Sequence, residues 1–253
     1  MEKIIIKNKA AIDKMRAGGA LLAEIGERMR PYAEQPGIST FEIDRIIDVM
    51  MVKAELKPVC KGYGTYKNAT CISLNDVVVH GIPSKEVILK SGDFVKIDVV
   101  GAYKSYCVDF TRYFFVGEVP PVARRLAEVA QLALDKAIAA IVPGKRLSDI
   151  SYLIQQEVEG AGFGVVREFA GHGIGKRIHE APDVPNFGKP GQGPVLQEGM
   201  TLAIEPMITE KNYAVRIMPD GWTARTVDGG LAGHVEDTIV VTKNGAEILT
   251  RVA

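Results

Sequence analysis

From residue 9 to residue 30, apolar positions recur at helical spacing, with Ile12, Met15, Leu22, Ile25 and Met29 near one face. The pattern predicts a helix that Pro31 stops. Ser39 with Glu42 three residues later has the form of a capping box, and opens a second helix that turns Ile43, Ile46, Ile47 and Met50 inward. The same plan then returns. A long Ala- and Leu-rich helix is predicted over residues 121–142, ended by Pro143-Gly144. Ser148 caps a further helix that carries Ile150, Leu153, Ile154 and Val158 and closes near Gly160 and Gly162. Strand-like runs are read at 76–80, 94–100, 109–116, 201–208 and 236–242, and the Gly- and Pro-rich stretch 181–194 as a loop.

Helices followed by strands, twice over, predict an α+β fold rather than alternating βαβ units. The repetition extends to individual residues. Pro36-Gly37 with Glu42-Ile43 matches Pro143-Gly144 with Asp149-Ile150, 107 positions on. Gly92 to Asp98 matches Gly199 to Glu205, so each copy ends an apolar run on a carboxylate. A second acid follows in each copy, Asp109 and Glu236, and each copy has a His-x-x-Pro, at His80 and at His179. No Ser-, Pro- or charge-rich linker separates the halves. Residues 1–253 are therefore read as a single catalytic domain of two half-repeats, roughly 10–120 and 121–253, facing each other across a pseudo-twofold axis.

Composition narrows the field. The apolar fraction of 47% and charged fraction of 25% are those of an ordinary globular protein. The net charge of zero offers no electrostatic case for nucleic acid or an anionic membrane. No apolar run is long enough to span a bilayer, and the first residues do not form a secretory signal. Three cysteines without C-x-x-C spacing suit a reducing, cytoplasmic setting and argue against cysteine-ligated zinc. No oligomer interface stands out, so a monomer is the default.

The acids carry the chemistry. If residues 101–105 turn a hairpin centred between Tyr103 and Lys104, Asp98 faces Asp109 on one side of the sheet, while Val95, Ile97 and Val99 fill the other. Two facing carboxylates repel unless a cation lies between them. Glu205 and Glu236 supply a second pair, and two divalent cations would neutralise the four. Carboxylates with one or two imidazoles suit Mn, Fe, Co or Zn. The histidines are His80, His172, His179 and His234. His172, in Gly171-His-Gly-Ile-Gly175, has no counterpart in the first half, so the expected centre is asymmetric. The same glycines lack phosphate-loop spacing.

At these residues the chain resembles the bacterial type I methionine aminopeptidases, of pita-bread fold, over essentially its whole length. The resemblance rests on Lys61-Gly-Tyr-Gly-Thr-Tyr66, Asn75-Asp-Val-Val-Val-His-Gly-Ile-Pro83, Gly92-Asp93 with Ile97-Asp98-Val99, Gly171 to Gly175, Ile204-Glu-Pro-Met207, Asp220-Gly-Trp222, and Glu236 with Thr238-Ile-Val-Val241. It implies a central antiparallel sheet backed by helices, and two divalent metal ions. Asp98 would chelate one, Asp109 and Glu236 bridge both, and His172 and Glu205 complete the other. It further implies that Glu205 shuttles a proton, that His179 steadies the tetrahedral intermediate, and that His80 contacts the scissile amide. Cys60, Tyr63, Tyr66, Cys71 and Trp222 match positions of the methionine pocket. The implied reaction is removal of the initiator methionine from nascent chains and peptides whose second residue is small. A transient ribosome contact would follow from that role. Ile178, Phe110 and Asp237 depart from the family's usual residues. They bear on pocket shape and metal preference. Two other readings are a proline-directed pita-bread peptidase and a metal-free binding protein of the same fold; retention of every ligand position argues against the second.

Overall fold

The computed structural model describes residues 3–252. Two helices open the chain, α1 (Lys9–Ala33) and α2 (Thr40–Lys53). Strands β1 (Lys57–Pro58), β2 (Thr70–Leu74), β3 (Val77–Val79), β4 (Phe94–Tyr103) and β5 (Tyr106–Phe115) follow. Helices α3 (Pro121–Ala139) and α4 (Leu147–Gly160) begin the second half. Its strands are β6 (Gly164–Val165), β7 (Ala170–Gly173), β8 (Glu180–Pro185), β9 (Thr201–Ile204), β10 (Met207–Thr209), β11 (Val215–Ile217), β12 (Ala224–Thr226), β13 (Ala232–His234), β14 (Glu236–Thr242) and β15 (Gly245–Ile248).

The central sheet runs β1-β4-β5-β14-β9-β7-β8, with β2 also on β4 and β15 also on β14. All its pairings are antiparallel. Its middle is symmetric in kind. β5 and β14 pair at the centre, β4 and β9 flank them, and β2 and β7 lie outside those. This is the pita-bread architecture that the family resemblance implied. Side chains of α1 and α2 share one apolar core with Val95, Ile97 and Val99 of β4, and α3 and α4 share another with Leu202 and Ile239. Gly19 lets α1 lie against the C-terminal segment, since a Cβ there would sit 2.1 Å from Leu249 O. Among the described residues, no helix is long and apolar enough to cross a membrane.

Several boundaries differ from the sequence reading for identifiable reasons. Pro31 lies inside the last turn of α1, which runs on to Ala33, because the loss of one amide near a helix end is tolerated. The Ser39 hydroxyl does cap α2, accepting from Glu42 N–H at 3.1 Å. Helix α3 ends at Ala139, before Pro143. The cap of α4 is Arg146, whose N–H donates to Asp149 Oδ2, while Ser148 instead bonds both polar groups of the Gln192 backbone. The stretch read as a loop contains β8, which keeps antiparallel pairing with β7 despite Pro182 and Pro185. The run 201–208 is two strands. Pro206 has no N–H for the ladder, so β9 stops at Ile204 and β10 leaves for a small sheet with β6 and β13.

The hairpin register differs by two residues. β4 and β5 turn at Lys104-Ser105, both with positive φ (46° and 69°), as a two-residue type I′ turn requires. Asp98 therefore faces Thr111, and Asp109 faces Val100. A shift of two preserves the face, so the two acids remain on one side as diagonal neighbours.

Candidate active site

Cross-strand register sets a row on one face of the sheet. Cys71 opposes Asp98, Asp98 opposes Thr111, and Thr111 opposes Glu236. Asp109 lies diagonally beside this row, and Glu205 follows β9 where Pro206 breaks it. His172, on β7, opposes Ala203 of β9 and reaches the same place from the far side. Its ring is fixed by Gly173 O, 3.0 Å from Nδ1. A carbonyl can only accept, so Nδ1 carries the proton and Nε2 presents a lone pair. That Nε2 lies 3.7 Å from Glu205 Oε1 and 4.0 Å from Asp109 Oδ2.

The arrangement is electrostatically uncomfortable. Burial, and then the neighbouring Glu236 and Asp98 carboxylates, hold the Asp109 carboxyl well above its ordinary range. Glu205 is raised by burial and then Asp98, and Glu236 by burial and then Glu205. Burial raises Asp98 as well. Thr111 Oγ1 donates to one Glu236 oxygen at 3.0 Å. Asp98 Oδ1, Asp109 Oδ1, Glu236 Oε1 and His234 Nε2 are buried with no hydrogen-bond partner. Buried, orphaned donors of this type fit a divalent cation. Donor atoms of Asp109, His172 and Glu236 lie within 4.8 Å of one another, as do those of Glu205, His234 and Glu236. Asp98 belongs to neither triad, but its charge helps raise the Asp109 carboxyl.

The sequence reading passed over His234. Residues 234 and 236 fall on the same side of an extended chain, but only the pairing of His234 with Met207 brings the ring beside Glu205. Asp237, singled out for lying beside Glu236, faces away from the acids. Arg112 Nη2, Arg251 Nε and Thr250 Oγ1 all bond its carboxylate, at 2.8, 2.7 and 2.9 Å. Phe110 also points away, stacking under the Arg112 guanidinium and against Gly26.

Above the acids lies a cavity of about 320 Å³. Cys60, Tyr63, Tyr66, Cys71, His80, His179 and Trp222 all line it, together with Ile178 and Phe169. Trp222 is held by the Asp220 carboxylate, which accepts from its N–H, and by its own Nε1–H to Thr65 Oγ1 at 3.1 Å. The His179 ring stands edge-on to His172 at 4.5 Å, and its Nδ1 is 3.0 Å from Tyr63 OH. Burial keeps both pocket histidines neutral, with His80 lowered to about 4 by burial and then by His234.

The loop that joins His172 to His179 is fastened from below. Lys7 Nζ meets Glu180 Oε2 at 2.6 Å with both side chains buried, and Arg177 N–H donates to the other Glu180 oxygen. Gly175 leaves the room, since a Cβ would come 2.6 Å from Lys7 Cε and 2.7 Å from Glu180 Oε1. Lys7→Met strands a buried carboxylate, and is expected to cost about 3–5 kcal/mol in a urea titration. Replacing both partners with apolar residues should recover most of that loss.

Fold and site together define a metallopeptidase-type hydrolase with an acid-rich divalent centre. The sequence model of metallopeptidase family M24 matches residues 13–243. The chain belongs to that family. It is 43% identical over 247 residues to a methionine aminopeptidase of Clostridium acetobutylicum, covering 98% of both chains. The crystal structure of a methionine aminopeptidase from Thermotoga maritima superposes with a TM-score of 0.96 at 44% identity, over 99% of this chain and 100% of that one. A prolidase from Pyrococcus horikoshii shares the fold, with a TM-score of 0.73 at 24% identity over 98% of this chain and 64% of that one. The protein is thus an aminopeptidase-type hydrolase that uses divalent metal.

Proposed function

We propose that this enzyme removes the N-terminal methionine from peptides and nascent chains whose second residue is small, with two divalent ions held by Asp98, Asp109, His172, Glu205 and Glu236. The observation that carries the reading is the juxtaposition of the acid cluster with a sulfur- and aromatic-lined cavity. Thiols and aromatic faces suit a thioether side chain, which gains polarizable contacts there. The metals, when bound, would supply Lewis acidity and an activated water at neutral pH.

The side chains do the rest. Glu205, its carboxyl raised by burial and by Asp98, is the better proton acceptor for it, and takes a proton and returns it to the leaving amine. Tyr63 OH, 3.0 Å from His179 Nδ1, fixes the orientation of that ring. His179 and His80 stay neutral and donate hydrogen bonds where carbonyl charge develops and at the scissile amide. Cys60, Cys71, Tyr66 and Trp222 hold the methionine side chain. Mn, Fe, Co or Zn all match the mixed carboxylate and imidazole donors. The cytoplasm is the compartment where initiator methionine is met.

The test compares Met-Ala-Ser, Met-Leu-Ser and Ala-Pro-Ser by mass spectrometry, using metal-stripped protein with and without Mn²⁺ or Co²⁺. Metal-dependent release of methionine from Met-Ala-Ser alone is expected. Cleavage of Ala-Pro-Ser would replace the proposal with proline-directed activity, and no cleavage under any condition would leave a binding protein.

A further inference from the structure

We infer that His234 is a metal donor of this centre, giving it a second imidazole beside that of His172. The inference rests on reading the acid cluster as a divalent-metal site. His234 Nε2 lies 3.3 Å from Glu205 Oε2. That spacing would serve a hydrogen bond, yet the atom makes none and is fully enclosed. Two donors that share one first-row ion at about 2.0–2.1 Å lie roughly 2.8–3.4 Å apart for octahedral to tetrahedral angles. The observed separation falls in that range without satisfying a hydrogen bond.

The surrounding backbone explains the aim of the ring. His234 opposes Met207 across the β10–β13 pairing, and Glu205 is separated from Met207 only by Pro206. The same pairing therefore sets the imidazole beside the carboxylate. Val235 turns into the second core, which leaves residues 234 and 236 on the centre's side. His234 is 3% exposed, so the ring has no aqueous alternative. The two donor triads then have parallel composition: Asp109 with His172, and Glu205 with His234, sharing Glu236 between them. Glu205 meets one imidazole at each oxygen, His172 Nε2 at 3.7 Å from Oε1 and His234 Nε2 at 3.3 Å from Oε2.

Paramagnetic NMR of the full-length protein titrated with Co²⁺ counts the coordinated rings directly. Each imidazole bound through one nitrogen shows a hyperfine-shifted, D₂O-exchangeable N–H signal from the other. Two such signals are expected in the wild type at saturation, and one in His234→Gln, which keeps a similar shape and polarity. Calorimetry should show Co²⁺ affinity at one site weakened at least 10- to 100-fold in that variant, the range that outer-shell partners already command. A single shifted signal in the wild type overturns the assignment without recourse to any variant. Unchanged signals and affinity in His234→Gln overturn it as well. A wild type that binds no Co²⁺ removes the metal-site reading itself, whereas a wild type that binds Co²⁺ with one imidazole removes only His234.

Discussion

Asp109→Asn is expected to abolish methionine release and metal binding together, with kcat/KM down more than about 1,000-fold, while the metal-free variant melts at a higher temperature than the metal-free wild type. The two directions have one cause. Asp109 stands among Asp98, Glu205 and Glu236, and its raised titration records the cost of holding a charge there. An amide of the same shape removes that charge and offers N–H donors to oxygens that now lack partners. The expected gain is about 0.5–2 kcal/mol. The same amide is a poor ligand to a divalent cation, so the centre that needs the charge is lost. Thermal melts with and without chelator, isothermal calorimetry with Mn²⁺, and peptide turnover check the three parts. A variant that retains turnover, or that destabilises the metal-free fold, would contradict the placement of Asp109 in the cluster.

The second large effect is the pH dependence of stability once metal is stripped. A carboxyl whose folded titration is raised contributes stability that is complete below its unfolded range, near 4, and is lost as pH rises through the folded value. Asp109, Glu205 and Glu236 are all raised well above that range. The buried histidines act oppositely. His80, His172 and His234 are lowered to about 4, so their contribution is present above about 6.5 and fades as pH falls toward 4. Above pH 6.5 the histidines no longer change anything, and the acids alone set the slope. Metal-free protein is therefore expected to melt at a lower temperature as pH rises above the ordinary histidine range, because the raised acids must then ionise in place. Bound metal cancels the repulsion and removes the slope. At an ion concentration about 100-fold above Kd the stabilisation is about 2.7 kcal/mol, or roughly 5–10 °C in Tm for a chain of this size. Differential scanning fluorimetry across pH, with and without Mn²⁺, reads the result. A metal increment that shrinks as pH rises would remove the repulsive cluster from the explanation.

Much of this was legible in the residues. The alternation around Asp98 and Asp109 put both acids on one face, and the repeat in the sequence located their partners Glu205 and Glu236. The structure adds what local pattern does not encode. The hairpin turn uses Lys104 and Ser105 at positive φ, where Asn or Gly would have announced it, so the register slipped by two while parity survived. β8 runs through prolines that normally exclude strands, and pairs only because β7 offers it an edge. Asp237, a departure from the family's usual residue that strand alternation turns away from Glu236, is bound on the far side of the sheet by Arg112 and Arg251. His234 was overlooked because its significance lies in the cross-strand pairing with Met207, which no spacing within one segment reveals.

The pairing of β5 with β14 has a consequence for the order in which the molecule assembles. Thr111 and Glu236, which touch in the native sheet, are 125 positions apart in the chain. The β4–β5 hairpin and the helices beside it need only local encounters, whereas this junction must close a very long loop. Mutual repulsion of the acids from opposite halves is thus deferred to the moment the halves dock. Refolding kinetics should place the influence of divalent ions on that late step, leaving the early collapse of each half insensitive to them.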